Sequence, residues 1–287
     1  MNFQTTKSLL RAHNLRPNKR LGQHFLVDPV AAEQIVAAAE IQQDETVLEI
    51  GPGLGALTGP LLERARRVIA VEIDERLCAI LAEEFLGQDN LEIIPGDFLD
   101  QDLPALARQA GDSRLKIVGN LPYQITGQAV RRILDHLDIL AGAVITVQRE
   151  VANRIVSPPG GKTFGILSVA AQYLSRPELI LRLPREAFYP QPQIASTAVT
   201  LNPRSKPPIQ VDDQAFFFTV VKALFGHRRK TAKNALRVHP DLRPGDHDLE
   251  VLASRTGLDL GRRAETMSLE ELAQLSNALG KLHHVKR

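Results

Sequence analysis

Cysteine is almost missing from this chain: Cys78 stands alone among 287 residues. One thiol excludes an internal disulfide framework and any cysteine-rich zinc site, and it fits a reducing compartment. Long apolar runs are missing too, since none approaches the ~20 residues that a membrane helix requires. Met1-Asn2-Phe3-Gln4 lacks the apolar core of a signal peptide. A cytoplasmic protein with no membrane partner is expected. There is no Gly-x-Ser-x-Gly element and no thiol-nucleophile arrangement. The histidines lack metal-ligand spacing, so no metal is expected. Internal repeats and low-complexity tracts are absent. Net charge is only +2, which by itself announces no nucleic-acid partner. Locally, however, one sign of charge is missing altogether. Before Asp28 there is no acid, yet Lys7, Arg11, Arg16, Lys19 and Arg20 are present. A second cationic cluster, His227-Arg228-Arg229-Lys230, is followed by Lys233 and Arg237. Concentrated cations matter more for phosphate binding than the whole-chain sum. The two clusters read as a polyanion footprint, with a solvated surface as the plain alternative.

What is present is an ordinary globular composition, 44% hydrophobic and 24% charged, in a chain long enough for one large and one small domain. Asp28-Pro29 ahead of Val30–Val36 reads as an N-cap, a first-turn proline and an amphipathic helix. Thr46–Ile50, Arg67–Glu72, Leu91–Ile94, Leu115–Gly119 and Ala141–Val147 read as strands, with helices over Ala56–Arg64 and Glu75–Phe85 between them. This alternation predicts a mostly parallel, doubly wound α/β sheet of the Rossmann type. Beyond it, Glu150–Val156 and Phe164–Leu174 read as helices, and Leu179–Leu183 and Ser196–Leu201 as strands. Asn202–Pro208 is proline-rich and reads as a linker. Four further helices, Asp212–Phe225, Thr231–Val238, Asp248–Ala253 and Ser268–Leu279, then predict a small all-helical C-terminal domain. The expected division is a catalytic domain over 1–203 and a helical RNA-binding domain over 204–287.

Gly51-Pro52-Gly53-Leu54-Gly55-Ala56 follows the first strand, where glycines permit positive φ and close approach of a ligand. The segment fits two templates. One is the G-x-G-x-x-A loop of dinucleotide-binding folds; the other, through Glu49, Gly51, Gly53 and Gly55, is the loop of S-adenosylmethionine enzymes. Glu72, closing the second strand, suits a bidentate grip on ribose hydroxyls in either case. Asp97, in Pro95-Gly96-Asp97-Phe98 after the third strand, suits an adenine amine and favours the methyl-transfer template. Asn120-Leu121-Pro122-Tyr123 closes the fourth strand. There the Asn120 amide oxygen and the Leu121 carbonyl can accept both N–H protons of an exocyclic amine. Pro122 stiffens the turn and Tyr123 can stack on a planar base. Read blandly, the same tetrapeptide is a strand-to-helix turn with a breaker.

With these residues in hand, the chain resembles the KsgA-type ribosomal RNA adenine dimethyltransferases over nearly its whole length. The resemblance runs through Lys19–Leu26, Glu49–Gly55, Glu72, Gly96-Asp97, Asn120–Tyr123, Phe188–Pro192, Leu224–Lys230 and Asn234. It implies that His24, Leu26, Gly51, Gly53, Glu72, Asp97 and Asn120 contact S-adenosyl-L-methionine. It places Asn120, Leu121, Pro122, Tyr123 and Phe188 around an extruded adenine, with Tyr123 and Phe188 on its two faces. His24 departs from members that carry Asn there, and either side chain donates or accepts a hydrogen bond. Arg228, Arg229, Lys230 and Lys233 are expected to contact RNA phosphates. The implied activity is dimethylation of N6 on two adjacent adenines near the 3' end of 16S rRNA. The implied partner is the immature small ribosomal subunit, met by a monomer. Three other readings stay in play: a large-subunit enzyme of the erythromycin-resistance type, a non-catalytic assembly factor on the same fold, and an NAD dehydrogenase resting on Gly51–Ala56 alone.

Overall fold

The computed structural model describes residues 1–111 and 114–285, with side chains described through Leu282. The chain forms two compact units, residues 1–152 with 175–203 and residues 153–174 with 204–287.

The first unit opens with helix α1 (Phe3–Ala12), capped by the Asn2 side chain on the Thr5 N–H. Strand β1 (Phe25–Leu26) leads to α2 (Pro29–Ala37), whose Asp28 carboxylate accepts from the N–H groups of Val30 and Ala31. The sheet then alternates: β2 (Thr46–Ile50), α3 (Thr58–Leu62), β3 (Arg67–Glu72), α4 (Glu75–Glu84), β4 (Leu91–Pro95), α5 (Leu103–Gln109), β5 (Leu115–Asn120), α6 (Thr126–Asp135) and β6 (Leu140–Gln148). Strands β7 (Ser175–Leu183), β8 (Phe188–Tyr189) and β9 (Ser196–Pro203) complete the unit, and α7 (Arg149–Val156) carries the chain out of it. The sheet order is β4-β3-β2-β5-β6-β9-β7, parallel from β4 to β6 and antiparallel beyond.

Alternation of side chains along each strand puts Val47, Val68, Val118 and Val144 on one face, against Ile35 and Val36 of α2 and Leu61 of α3. Leu48, Ile69, Ile117 and Ile145 lie on the other face and are equally buried. A sheet covered on both faces explains why its strands read as unbroken apolar runs. Truncating a residue such as Ile35 to Ala is expected to cost about 2–5 kcal/mol. Order reverses between β2 and β5, and there the packing is tight: a Cβ on Gly119 would lie 2.8 Å from the Ile50 carbonyl oxygen. That reversal opens a crevice at the carboxyl ends of the strands.

In the second unit, α8 (Ile166–Leu174), α9 (Gln214–Gly226), α10 (Ala232–Val238), α11 (Asp246–Thr256) and α12 (Leu269–Val285) share one apolar core. Here the expected division needs correcting. Residues 153–174, expected in the sheet domain, belong to the helical unit: Phe164, Val169 and Tyr173 are buried in its core beside Phe217 and Phe225. The aromatic contacts Phe164–Phe225 and Tyr173–Phe217, at 5.8 and 5.3 Å between ring centroids, give the physical reason. A second correction is local. The helix expected over Ala56–Arg64 is confined to Thr58–Leu62, because Gly51, Gly53 and Gly55 all take positive φ and their turns occupy the residues ahead of it.

Candidate active site

A cleft of about 1090 Å³, its open mouth included, lies over the carboxyl ends of β2, β3 and β5. Its walls include His24, Leu26, Glu49, Gly51, Gly53, Glu72, Asp97, Asn120–Tyr123 and Phe188. The sheet unit thus gathers every cofactor and acceptor residue named from the sequence into one crevice.

On one side the glycine loop is locked from within. The Gly51 N–H donates to the Val71 carbonyl (2.9 Å), Gly55 N–H to the Pro52 carbonyl (2.9 Å), and Gly53 N–H to Glu72 Oε2 (3.1 Å). The other Glu72 oxygen accepts from the Asp74 N–H (3.0 Å). Burial raises the Glu72 pKa, with the Asp74 and Gly53 bonds working against it. These three glycine N–H groups are therefore not free to cradle a pyrophosphate as in a dinucleotide fold.

Glu49 sharpens the point. Its side chain is 1% exposed, Thr58 Oγ1 donates to Oε2 at 2.7 Å, and Oε1 has no partner among the described residues. Burial pushes its carboxyl up to about 8 against the Thr58 bond, and the neighbouring Glu72 adds to the rise. Glu72 beside the loop suits a ligand with hydroxyl groups, while Glu49, kept protonated by its burial, adds a polar atom and little charge at neutral pH. Glu49 stands in the sequence as the first residue of the S-adenosylmethionine loop template, and an acid inside a buried strand is the signal that it faces the cleft. Asp97 caps the turn after β4 through one oxygen, accepting from the Leu99 N–H at 2.8 Å, and its other oxygen is unpaired among the described residues.

On the other side, Asn120 Nδ2 donates to the His24 carbonyl at 3.0 Å. A carbonyl can only accept, so this contact fixes the amide and turns Oδ1 away from His24 with its lone pairs unspent. His24 is itself held, Nδ1 lying 2.6 Å from the Pro190 carbonyl, which makes Nδ1 the protonated nitrogen. The Leu121 N–H is tied to the Thr146 carbonyl at 3.0 Å, and no described group donates to the Leu121 carbonyl. Pro122 starts α6 by accepting from Ile125 N–H (3.2 Å) and Thr126 Oγ1 (2.9 Å). Tyr123 is half-buried, its hydroxyl 2.8 Å from Ser196 Oγ, its ring 5.4 Å from that of His24. Burial raises its pKa despite the Ser196 bond, so the phenol is neutral. Phe188 pairs with Leu26 in the two-stranded β1–β8 ribbon and is 2% exposed. It reaches the cleft as a wall backed by the core, packed with Leu183 and Ala187. Gln23 and Gln124, both cleft residues, were not singled out by the sequence.

The four expected RNA contacts lie in the helical unit. Arg228, Arg229 and Lys230 occupy the turn after α9, ahead of α10. Only Lys233 is helical, and its N–H is taken by the Leu260 carbonyl (3.0 Å). All four are exposed. The Arg228 guanidinium is engaged by the Lys162 carbonyl and lies 3.6 Å from Glu265.

A parallel sheet with this reversal, its cleft flanked by acids on one side and an open amide on the other, defines a Rossmann-like class I methyltransferase. The comparisons carry this further. A family model described as ribosomal RNA adenine dimethylase matches residues 14–281. The "Ribosomal RNA small subunit methyltransferase A" of Moorella thermoacetica is 43% identical over 280 residues, covering 96% of each chain. Among solved structures, a dimethyladenosine transferase from Plasmodium falciparum has a TM-score of 0.71 at 22% identity, covering 88% of this chain and 96% of that one, a likeness of fold. The 23S rRNA methyltransferase ErmE has a TM-score of 0.69 at 27% identity, covering 89% of this chain and 99% of that one. The chain belongs to the ribosomal RNA adenine dimethylase family.

Proposed function

We propose that this chain dimethylates adenine N6 in small-subunit ribosomal RNA, with S-adenosylmethionine as methyl donor and the immature subunit as substrate, acting as a cytoplasmic monomer. The observation that carries the reading is the Asn120 amide. Its nitrogen is committed to the His24 carbonyl, and its oxygen remains free beside the free Leu121 carbonyl.

The residues present fit the donor. Glu72, already oriented by Gly53 and Asp74, would take the ribose hydroxyls. Asp97 would take the adenine amine. His24, Leu26, Gly51 and Gly53 complete its walls, and the unpartnered Glu49 oxygen leaves a buried polar atom for a ligand to meet. When bound, S-adenosylmethionine supplies an activated methyl on a sulfonium. The chain's own work is at the acceptor. An adenine N6 is a poor nucleophile because its lone pair is delocalised into the ring. Accepting both N6 protons at Asn120 Oδ1 and the Leu121 carbonyl favours a pyramidal nitrogen with the lone pair directed at the methyl. Orientation and electrostatics then carry most of the rate, and no strong base is needed before the methyl moves. Tyr123 would stack on one face of the flipped base and Phe188 would back the other. The helical unit's Arg228, Arg229, Lys230 and Lys233 would hold RNA phosphates.

Identity of 43% to a small-subunit relative, against 27% to a large-subunit one, favours the small subunit. The test is methyl transfer to immature small subunits and, separately, to free large-subunit RNA. Label on the small subunit alone is expected; label on large-subunit RNA alone would overturn the choice. Tight S-adenosylhomocysteine binding without NAD binding is expected alongside. A Glu72→Ala variant that still permits normal subunit maturation would reveal an assembly role beside the catalytic one.

A further inference from the structure

The cationic stretch before Asp28, one half of the polyanion footprint read from the sequence, lies in the sheet unit. Five of its side chains, Lys7, Arg11, Arg16, Lys19 and Arg20, have no ion pair among the described residues. Arg108, Arg149, Arg176 and Arg182 of the same unit also lack one, so what sets the N-terminal five apart is that no acid interrupts them before Asp28. The backbone under Lys19 and Arg20 is tightly held. Lys19–Leu21 forms a single helical turn with Asn18 as its cap, accepting from the Arg20 N–H at 2.9 Å. The Asn18 N–H donates to Gln23 Oε1 (2.7 Å), and Gln23 Nε2 donates to Asp74 Oδ2 (3.0 Å), two residues beyond Glu72. On its opposite flank the Lys19 carbonyl accepts from Gln124 Nε2 at 3.1 Å, next to Tyr123. Gly22 closes the turn at φ +63, where a Cβ would lie 3.6 Å from the Tyr123 nitrogen. Leu21 and Gly22 already belong to the cleft wall.

We propose that Lys19 and Arg20 form a phosphate-gripping lip at the acceptor side of the cleft, seating the backbone of the RNA strand whose adenine enters against Asn120 and Tyr123. The inference rests on the adenine-acceptor reading above. A base turned out of its stack leaves its flanking phosphates outside the pocket. A rigid turn bonded to the acceptor motif then presents two exposed cations at the mouth. Lys19 offers a compact point charge and Arg20 a planar fork for two phosphate oxygens. The nearest acid on this turn's own tether, Asp74, is neutralised by Arg76 at 2.9 and 2.7 Å. It therefore does not compete for either cation. Arg16 and Arg11, both exposed, continue the strip along the chain into the last turn of α1. Lys7 is held over the rings of Phe3 and Tyr189, 4.3 and 5.4 Å from their centroids.

The experiment compares the full chain with Lys19→Ala/Arg20→Ala and Lys19→Arg/Arg20→Lys. It measures binding to unmethylated small subunits across a salt series, methyl-transfer kinetics, and S-adenosylhomocysteine affinity by calorimetry. Removing two phosphate contacts is expected to reduce the log–log salt slope by about 1–2, weaken subunit binding roughly tenfold and raise KM, with kcat at saturation retained. S-adenosylhomocysteine affinity should be unchanged, and the charge-preserving exchange should restore the slope. An unaltered slope and KM would overturn the proposal. So would a loss that reaches S-adenosylhomocysteine binding and is not rescued, which would make the turn a structural brace. The salt slope is read from binding alone. Failure of the adenine-acceptor reading would show instead as retained turnover in Asn120→Ala.

Discussion

On the carboxylate side of the cleft, polar groups largely satisfy one another in advance. Glu72 spends one lone pair of each oxygen on a backbone N–H, and Gly51, Gly53 and Gly55 direct their own N–H groups inward. On the amide side, the anchoring half of each group is bound and the acting half is left open: Asn120 through Nδ2, Leu121 through its N–H, and Tyr123 through its hydroxyl. Both walls are rigid, but they are rigid for different ends. The first holds a ligand that stays put during the chemistry. The second must accept protons from a nitrogen whose geometry changes as it reacts, so its oxygens have to be fixed in place and free of other partners. Damage to the first wall should therefore appear in affinity, and damage to the second in turnover.

The largest effect is expected from Asn120→Ala, which removes an acceptor used as the amine pyramidalises. kcat should fall by roughly 10³-fold, about 4 kcal/mol, with RNA affinity little changed. Single-turnover transfer with pre-bound RNA measures this. Wild-type turnover would break the comparison at its strongest point. Next comes Glu72→Gln. An amide brings one oxygen and one NH₂, so either the Gly53 or the Asp74 N–H would face a donor. S-adenosylmethionine affinity is expected to weaken about 100-fold, ~2.7 kcal/mol, with saturating kcat much less affected; equilibrium binding and kinetics together decide. A loss confined to kcat would erase the distinction between the walls.

Much of this frame could be read along the chain, for a physical reason. Strands buried on both faces are continuous apolar runs, and the groups at their carboxyl ends follow directly: Gly51 after Ile50, Glu72 ending β3, Asn120 ending β5. What escaped depends on partners far away in sequence. Two residues, Phe25 and Leu26, cannot show a period, and they become a strand only by meeting Tyr189 and Phe188. The excursion 153–174 has helical patterning that is indifferent to which core receives it, and the choice is made by Phe217 and Phe225. Helix α1 hid behind its charges, which drew notice to cations and away from Leu10, buried with Leu54 and Leu77. The turn Lys19–Leu21 is likewise defined by Gln124, more than a hundred residues on.

A smaller effect is expected at Glu49, read in stability. Its carboxyl sits at about 8 in the folded chain against an ordinary value of 4.5. The folded state thus holds the proton more tightly than the unfolded chain. That stabilisation is complete below pH 4.5 and is lost as pH rises through about 8. Between pH 7 and 9 the unfolded chain gains more from ionisation than the folded chain does, so stability on the order of 1 kcal/mol disappears. Glu49→Gln keeps an acceptor for Thr58 and cannot ionise, so its Tm should decline less over that range. Thermal melts of both proteins at pH 6 to 9 check this. Parallel declines would place the alkaline sensitivity elsewhere.

The smallest effect expected is also the sharpest test of how the amide wall uses its aromatic. Tyr123 offers a face and a hydroxyl, and the hydroxyl faces Ser196 Oγ at 2.8 Å and the Ile194 carbonyl at 3.3 Å, away from any role in accepting amine protons. If the ring works by stacking, Tyr123→Phe removes only an anchoring bond. The cost is then about 0.5–1.5 kcal/mol, less than tenfold or so in kcat/KM. Tyr123→Ala also gives up the stack, which is worth roughly 1–3 kcal/mol per base. Steady-state kcat/KM for the pair on the same RNA measures the difference. Equal losses would mean that the hydroxyl's hold on Ser196, and with it the position of the turn, matters more than the π-face. The amide wall would then depend on the same kind of internal bonding as the carboxylate wall opposite.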